Sequence, residues 1–589
     1  MKKVLTIAMS FILTLSAVVL VPNISKIDTA SAETVHTIGV FDEEFIEISF
    51  AAITDVHSNK AWGAYANDDY CIPYLEDAFE DLMDAAEVHD ADGLDLVMIT
   101  GDVIDNSVNT NNKYGRDRRG VAEMNAFADG VLKYKNSTFG NNVLITTGNH
   151  DTRTYYSSFG AFKDLLGDQY YESNGIRTDA RIDYEVGYRH SYITKNGKNY
   201  HFIMIEPVGT IPWFYQPLAL DYLEADLAAI TAEDPNSYIY IGSHIAMWDT
   251  IHGSEDNWDP GSNKWHTDGL MKDPADIDTI KNVTRLDNIT YTGLLLDANG
   301  KAILDSNGNE QYVEKTVSGF QKGASDEDDA DGGSSSINKF TTRNIITKYP
   351  QVMVFSGHTH NTLVGERSIM QKHGITSVNA GGVIGGGSYG YDSTPKPNTY
   401  GDYINSHNGD KQEYRKGVLI QVDIDGDVRL SRVDFSDDAD PRGWSLSKTP
   451  WELPRPELDG SNLKVYDYEG RIAKNKAPVL TGTVTVGSAK NSANGNVNVT
   501  FSAGLTNDVD EIAYYEIKAY KAGTNTLVKT FKVRSDYVVA HIGEGRNNLP
   551  TSYSHDIELK AGSYDIKVQA FDEWNLGSQG ILTATYTVA

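Results

Sequence analysis

Five short clusters of Asp, His and Asn carry the side chains whose types and order could do chemistry. They are Asp55-Val56-His57, Gly101-Asp102, Gly148-Asn149-His150-Asp151, Gly242-Ser243-His244 and Gly357-His358-Thr359-His360. Imidazole nitrogens together with carboxylate and amide oxygens suit borderline ions such as zinc, iron or manganese. The absence of thiolates argues against a closed structural zinc site. Taken singly, each cluster has a plainer account. An aspartate after a strand caps helices, and Asn after a glycine tolerates a tight bend. Their joint occurrence, each after an apolar run, points to one metal site instead. Two cations held close together need a shared anion, and Asp102 is the natural bridge.

Residues so far apart can meet only if the fold brings them to one edge. The apolar, β-branched runs 48–53, 95–100, 143–147, 201–205, 238–241 and 352–355 read as buried strands. Leu75, Phe79, Leu82 and Ala86 recur at helical spacing, as do Leu220, Leu223 and Leu227. Strands alternating with helices predict an α/β domain, and ligands of such sheets gather beyond the carboxyl ends of the strands. The runs 418–424 and 428–435 flank Asp425-Gly426, a hairpin turn.

In this order the motifs, with Asp105 completing Gly101-Asp102-x-x-Asp105, resemble the calcineurin-like metallophosphoesterase superfamily over about residues 45–435. The resemblance implies a four-layer α/β/β/α sandwich with two metal ions (Mn, Fe or Zn) at one edge. One ion would be held by Asp55, His57 and His360, the other by Asn149, His244 and His358, with Asp102 bridging. A water between the ions would attack a phosphate mono- or diester, in line with two-metal hydrolysis generally. His150 would stabilise or protonate the leaving oxygen, Asp105 would orient its ring, and Arg153 would contact a substrate phosphate. Val103-Ile104 follows Asp102 where a purple acid phosphatase would carry Tyr. Ser58 and Asp151 depart from the exported 5′-nucleotidases, and Gly148-Asn149-His150-Asp151 followed by Arg153 resembles the cyclic-nucleotide phosphodiesterases.

The rest of the chain sets bounds. With 51 Lys and Arg against 82 Asp and Glu, the net charge is −31 and the pI about 4.8. Such a surface repels nucleic-acid backbones, so the expected partner is a phosphate ester and not a nucleic-acid scaffold. Cys71 is the only cysteine, so no intramolecular disulfide can form. Lys2-Lys3, the apolar run 4–21 and Ala30-Ser31-Ala32 have the three parts of a signal peptide over 1–32. A secreted bacterial protein with no membrane span after cleavage is therefore expected. The α/β domain is expected over 40–445 with an insertion at 250–340, then a Pro-rich linker over 446–475.

From 476 to 589 the periodicity is that of strands. Val497, Val499 and Phe501 alternate with polar residues, as do Tyr515, Ile517 and Ala519, then Tyr564, Ile566, Val568 and Ala570. An all-β sandwich resembling fibronectin type III or immunoglobulin-like modules is expected there. A competing functional reading makes this module a binder of a cell-wall glycan or surface partner, signalled by exposed aromatics such as Trp574.

Overall fold

The computed structural model describes residues 40–58, 72–90, 92–104, 118–148, 151, 177–206, 215–247, 250–251, 258–259, 264–265, 283–285, 289–317, 320–322, 337–358, 363–383, 415–435, 440–488, 496–506, 510–539 and 549–588. The expected signal segment lies outside them. So does about half of the expected insertion.

The strands that matter for function are Ile46–Ile53 (β1), Leu96–Thr100 (β2), Val143–Thr146 (β3), Arg177–Asp183 (β4), Tyr188–Lys195 (β5), Lys198–Ile205 (β6), Ile239–Gly242 (β7), Val352–Ser356 (β8), Ile369–Lys372 (β9), Ile375–Asn379 (β10), Lys416–Asp423 (β11) and Val428–Asp434 (β12). Among the described residues they form two seven-stranded sheets. The first has the order Ser445–Leu446, β12, β11, β1, β2, β3, with Trp451–Leu453 also paired to β12. The second runs β9, β10, β8, β7, β6, β5, β4. Parallel pairing joins β1, β2 and β3 in one sheet and β6, β7, β8 and β10 in the other. The chain is thus an α/β protein with mixed sheets.

Each strand's apolar run divides its residues between two cores, because successive side chains point to opposite faces. Phe50, Ala52, Leu96 and Met98 of the first sheet meet Phe202, Met204, Tyr240 and Phe355 of the second, with the Phe50 and Phe202 rings edge-on at 5.0 Å. The alternate residues Ile53, Val97, Ile99 and Ile145 pack on Leu75, Phe79 and Leu82 of Ile72–Glu87 (α1) and Phe127 of Arg118–Leu132 (α2). On the second sheet, Ile203, Ile241 and Val354 pack on Leu220, Leu223 and Leu227 of Pro217–Glu233 (α3) and on Ile345 and Ile346 of Ile337–Ile346 (α4). Full burial of each such side chain contributes about 1.5–3 kcal/mol.

Two features depart from the expectation. Strands β4 and β5 have no apolar signature because their interior is ionic: buried Arg177 and Arg189 both reach Asp179, at 3.3 and 3.0 Å. The passage 446–475, expected as a linker, is knit into the α/β part. Leu430 pairs with Trp451, the Trp451 indole donates to Glu366 Oε2 at 2.9 Å, and buried Asn462 donates to the Pro350 carbonyl at 2.9 Å. The turn at Asp425-Gly426 forms as expected, with Gly426 at φ 87° and Asp423 Oδ1 accepting from the amides of Asp425 and Asp427.

A buried polar chain ties α3 to the second sheet and gives stability an acid limit. His190 Nε2 lies 3.0 Å from His201 Nδ1, and His190 Nδ1 lies 3.1 Å from Asp226 Oδ2, which also takes the Tyr188 hydroxyl at 2.9 Å. Burial, then the neighbouring His190, pushes His201 down to about 3. The unfolded state binds this proton near its ordinary value of about 6.5, so stability is full above that pH and declines as pH falls toward 3. Between pH 7.5 and 4.5 the loss from His201 should be roughly 2.5–3 kcal/mol. Denaturant midpoints at the two pH values for the wild type and for His201→Gln measure it. An equal pH dependence in the two proteins would refute it.

Residues 476–588 form a three-stranded sheet (Val484–Ser488, Asn496–Ser502, Ser552–Glu558) and a four-stranded one (Leu527–Arg534, Ile512–Lys521, Gly562–Asp572, Leu582–Val588). Val497, Val499, Phe501, Ile517, Ile557, Ile566 and Val568 make their common core.

Candidate metal centre

The carboxyl ends of five parallel strands carry the chemistry. Asp55 and His57 follow β1, Asp102 follows β2, the turn 148–151 follows β3, His244 follows β7 and His358 follows β8. Backbone pairing continues beyond the strands and fixes these turns: the amides of Asp55 and His57 donate to the carbonyls of Gly101 and Asp102, and that of Gly357 to His244.

Five of the expected ligands converge. Suitable donor atoms of Asp55, His57 and Asp102 all lie within 4.8 Å of one another, and so do those of Asp102, His244 and His358. All five residues are buried. His57 Nε2 is 3.5 Å from Asp55 Oδ1 and 4.0 Å from Asp102 Oδ2, while His244 Nε2 is 3.2 Å from that same Asp102 oxygen. Asp102 is therefore common to two neighbouring donor groups. Asp105, Asn149, His150, Arg153 and His360 lie outside the described residues.

The ligand turns are backbone-strained. Asp55, His57, Asp102 and His358 have φ of 52°, 44°, 49° and 68°, in the left-handed region that side-chain-bearing residues seldom adopt. Each such residue costs about 1–3 kcal/mol and persists only where its surroundings over-determine it. Glycines make the room. A Cβ on Gly101 would come 2.6 Å from the His244 Cβ, one on Gly148 would overlap Asp102, and one on Gly357 would overlap Thr54 and crowd Asp55. Gly101, Gly148 and Gly357 are thus packing requirements of the site residues beside them.

Outer contacts aim the donors. His244 Nδ1 is 2.8 Å from the Thr100 carbonyl, which turns Nε2 toward Asp102. Asp55 Oδ2 accepts from the His358 amide at 3.1 Å, leaving its other oxygen toward His57. Two further residues had no role in the sequence reading. Asp151 accepts from the Gly148 amide at 2.7 Å and the Ile104 amide at 3.1 Å, clamping the turn after β3 to that after β2. Glu206, at the end of β6, accepts from the Thr147 amide and hydroxyl at 3.2 and 2.9 Å. Only Asp151 left a signal, its place within the motif.

The electrostatics call for a cation. Burial opposes protonation of His244, yet Asp102, by charge and hydrogen bond, and then Asp55 raise it to about 9. Burial and then repulsion from Asp102 push Asp151 up to about 7. The rise at His244, and the part of the Asp151 rise due to Asp102, express negative potential in a buried site, which a metal would neutralise while displacing the imidazole proton. Oxygen and imidazole donors, burial and a shared carboxylate all fit divalent ions of the borderline kind.

A family model described as calcineurin-like phosphoesterase matches residues 48–362. No curated protein matches the chain. Among solved structures, one described as "Myokine structure" is 17% identical, covering 19% of this chain and 97% of its own, with a TM-score of 0.13. A score that low says nothing about fold.

Proposed function

Because the chain belongs to the calcineurin-like phosphoesterase family, we propose that it is a secreted, dinuclear-metal hydrolase of phosphate mono- or diesters. The observation that carries this reading is Asp102 shared between the donor groups Asp55, His57 and Asp102 and Asp102, His244 and His358. Asn149 and His360 complete the two coordination sets, and manganese, iron or zinc fits the donor chemistry. Two such ions supply Lewis acidity that activates water and offsets charge on the phosphoryl oxygens. The chain's part is to hold and aim. The positive-φ turns fix the carboxylates, the Thr100 carbonyl fixes His244, and burial keeps bulk water from the donors.

His150, in the motif Gly148-Asn149-His150-Asp151, is the proposed proton donor to the leaving oxygen. Asp105 is its proposed orienting partner, and Arg153 a phosphate contact. The three core clusters support a four-layer α/β/β/α arrangement, and the paired C-terminal sheets an immunoglobulin-like one. Export rests on the features of residues 1–32. Among the described residues no helix is long and apolar enough to cross a membrane. The glycan-binding reading has no such support, since the Trp574 ring packs against the guanidinium groups of Arg367 and Arg471, 5.0 and 5.2 Å from its centroid.

The test is hydrolysis of p-nitrophenyl phosphate, bis-p-nitrophenyl phosphate and cyclic nucleotides after removal of metal and after addition of Mn²⁺, Zn²⁺ or Fe²⁺. Activity should vanish with the metal and return with it. Indifference of hydrolysis to metal would overturn the reading.

A further inference from the structure

The C-terminal module grips the chain just beyond the His358 turn. Val364 O accepts from the Tyr537 hydroxyl at 3.0 Å and from Arg432 Nη1 at 3.0 Å, so the module and β12 hold one carbonyl between them. Gly365 lies against the Glu573 carboxylate, closely enough that a Cβ would overlap it. Buried Arg367 donates to the Glu573 carbonyl and lies over the Trp574 ring, while Arg471 donates to the carbonyls of Glu366 and Ile369 at 2.8 and 2.9 Å. The apolar contact is continuous as well. Ala513, Tyr514 and Tyr537 share a core with Leu363, Val364 and Ile369 of the α/β part.

His358 needs such a hold. Its φ of 68° is strained, and strain of this kind persists only where the surrounding structure over-determines it. Strand β8, paired on both sides, fixes the upstream flank. The next described residues downstream are Leu363 to Gly365, and their anchors are Arg432, Tyr537 and Glu573. We propose that the C-terminal module is a working part of the metal centre, with Tyr537 a positioning residue that fixes His358 through Val364. This rests on the proposed metal site and goes beyond it, because nothing in the donor groups themselves requires the last hundred or so residues of the chain.

The test is calorimetric titration of the metal-free full chain with Mn²⁺, for wild type, Tyr537→Phe and Trp574→Phe, beside thermal unfolding of each metal-free protein. The wild type should bind two ions. Tyr537→Phe should weaken one of them about 10-fold, the low end for contacts outside the ligand set, and leave the other unchanged. Trp574→Phe, a milder loosening of the same face, should shift the same ion in the same direction. Combining Tyr537→Phe with His358→Ala should add nothing to the His358→Ala loss. Variants that unfold at lower temperature but bind both ions as the wild type does would overturn the proposal. A wild type that binds no Mn²⁺ would instead bring down the metal-centre reading on which it rests.

Discussion

Asp102→Ala is expected to empty the centre of metal, because the one carboxylate belonging to both donor groups is removed. Metal content by elemental analysis should fall from about two ions per chain to well under one, and phosphoester hydrolysis by about 10³-fold or more, since the electrostatic work of both ions goes with it. The metal-free fold should persist, since Asp102 contributes no side chain to the apolar cores. Retention of two tightly bound ions in this variant would refute the bridging role.

His150→Ala should behave differently. As the proton donor to the leaving oxygen it would contribute roughly 10²–10⁴ in kcat, with both ions retained. The loss should depend on the leaving group. p-Nitrophenolate departs without a proton, so bis-p-nitrophenyl phosphate should be cleaved nearly as fast as by the wild type, whereas an alkyl phosphate ester should show the full decrease. A uniform decrease across leaving groups, or metal loss matching that of Asp102→Ala, would remove the division of labour between the two residues.

Much of this was legible in the sequence because the strands that carry ligands are apolar on both faces. β1, β2, β3, β7 and β8 each bury residues against helices on one side and the other sheet on the other, so their runs stand out without alternation. The ligand motifs were legible because Gly101, Gly148 and Gly357 stand where a Cβ would collide with a neighbouring site residue, so glycine recurs beside the ligands. Strands β4 and β5 were not, since Arg177, Arg189 and His190 are buried there by pairing with Asp179 and Asp226, and a charge-rich run reads as surface. The docking of the C-terminal module was invisible for a related reason. Tyr514, Tyr537 and Trp574 read equally well as sandwich core or as exposed binding residues, and only contacts with Val364 and Arg367 decide. Glu206 acts by accepting the amide and hydroxyl of Thr147 from another loop, a role that leaves no spacing pattern.

The pairing of β1 has a consequence for how the molecule is made. This strand lies between β2 and β11, so Ala52 is flanked by Met98 on one side and Val418 on the other. A ribosome delivers the first partner early and the second only after most of the chain has emerged. Until then the middle of the first sheet presents a bare edge, and the crevice lined by Leu363 and Val364 stays open until Tyr537 arrives later still. Pairings this remote in sequence close slowly, because the entropy of the intervening loop is lost before the contacts form. Nascent chains stalled short of Val418 should therefore be the species most prone to stick to one another.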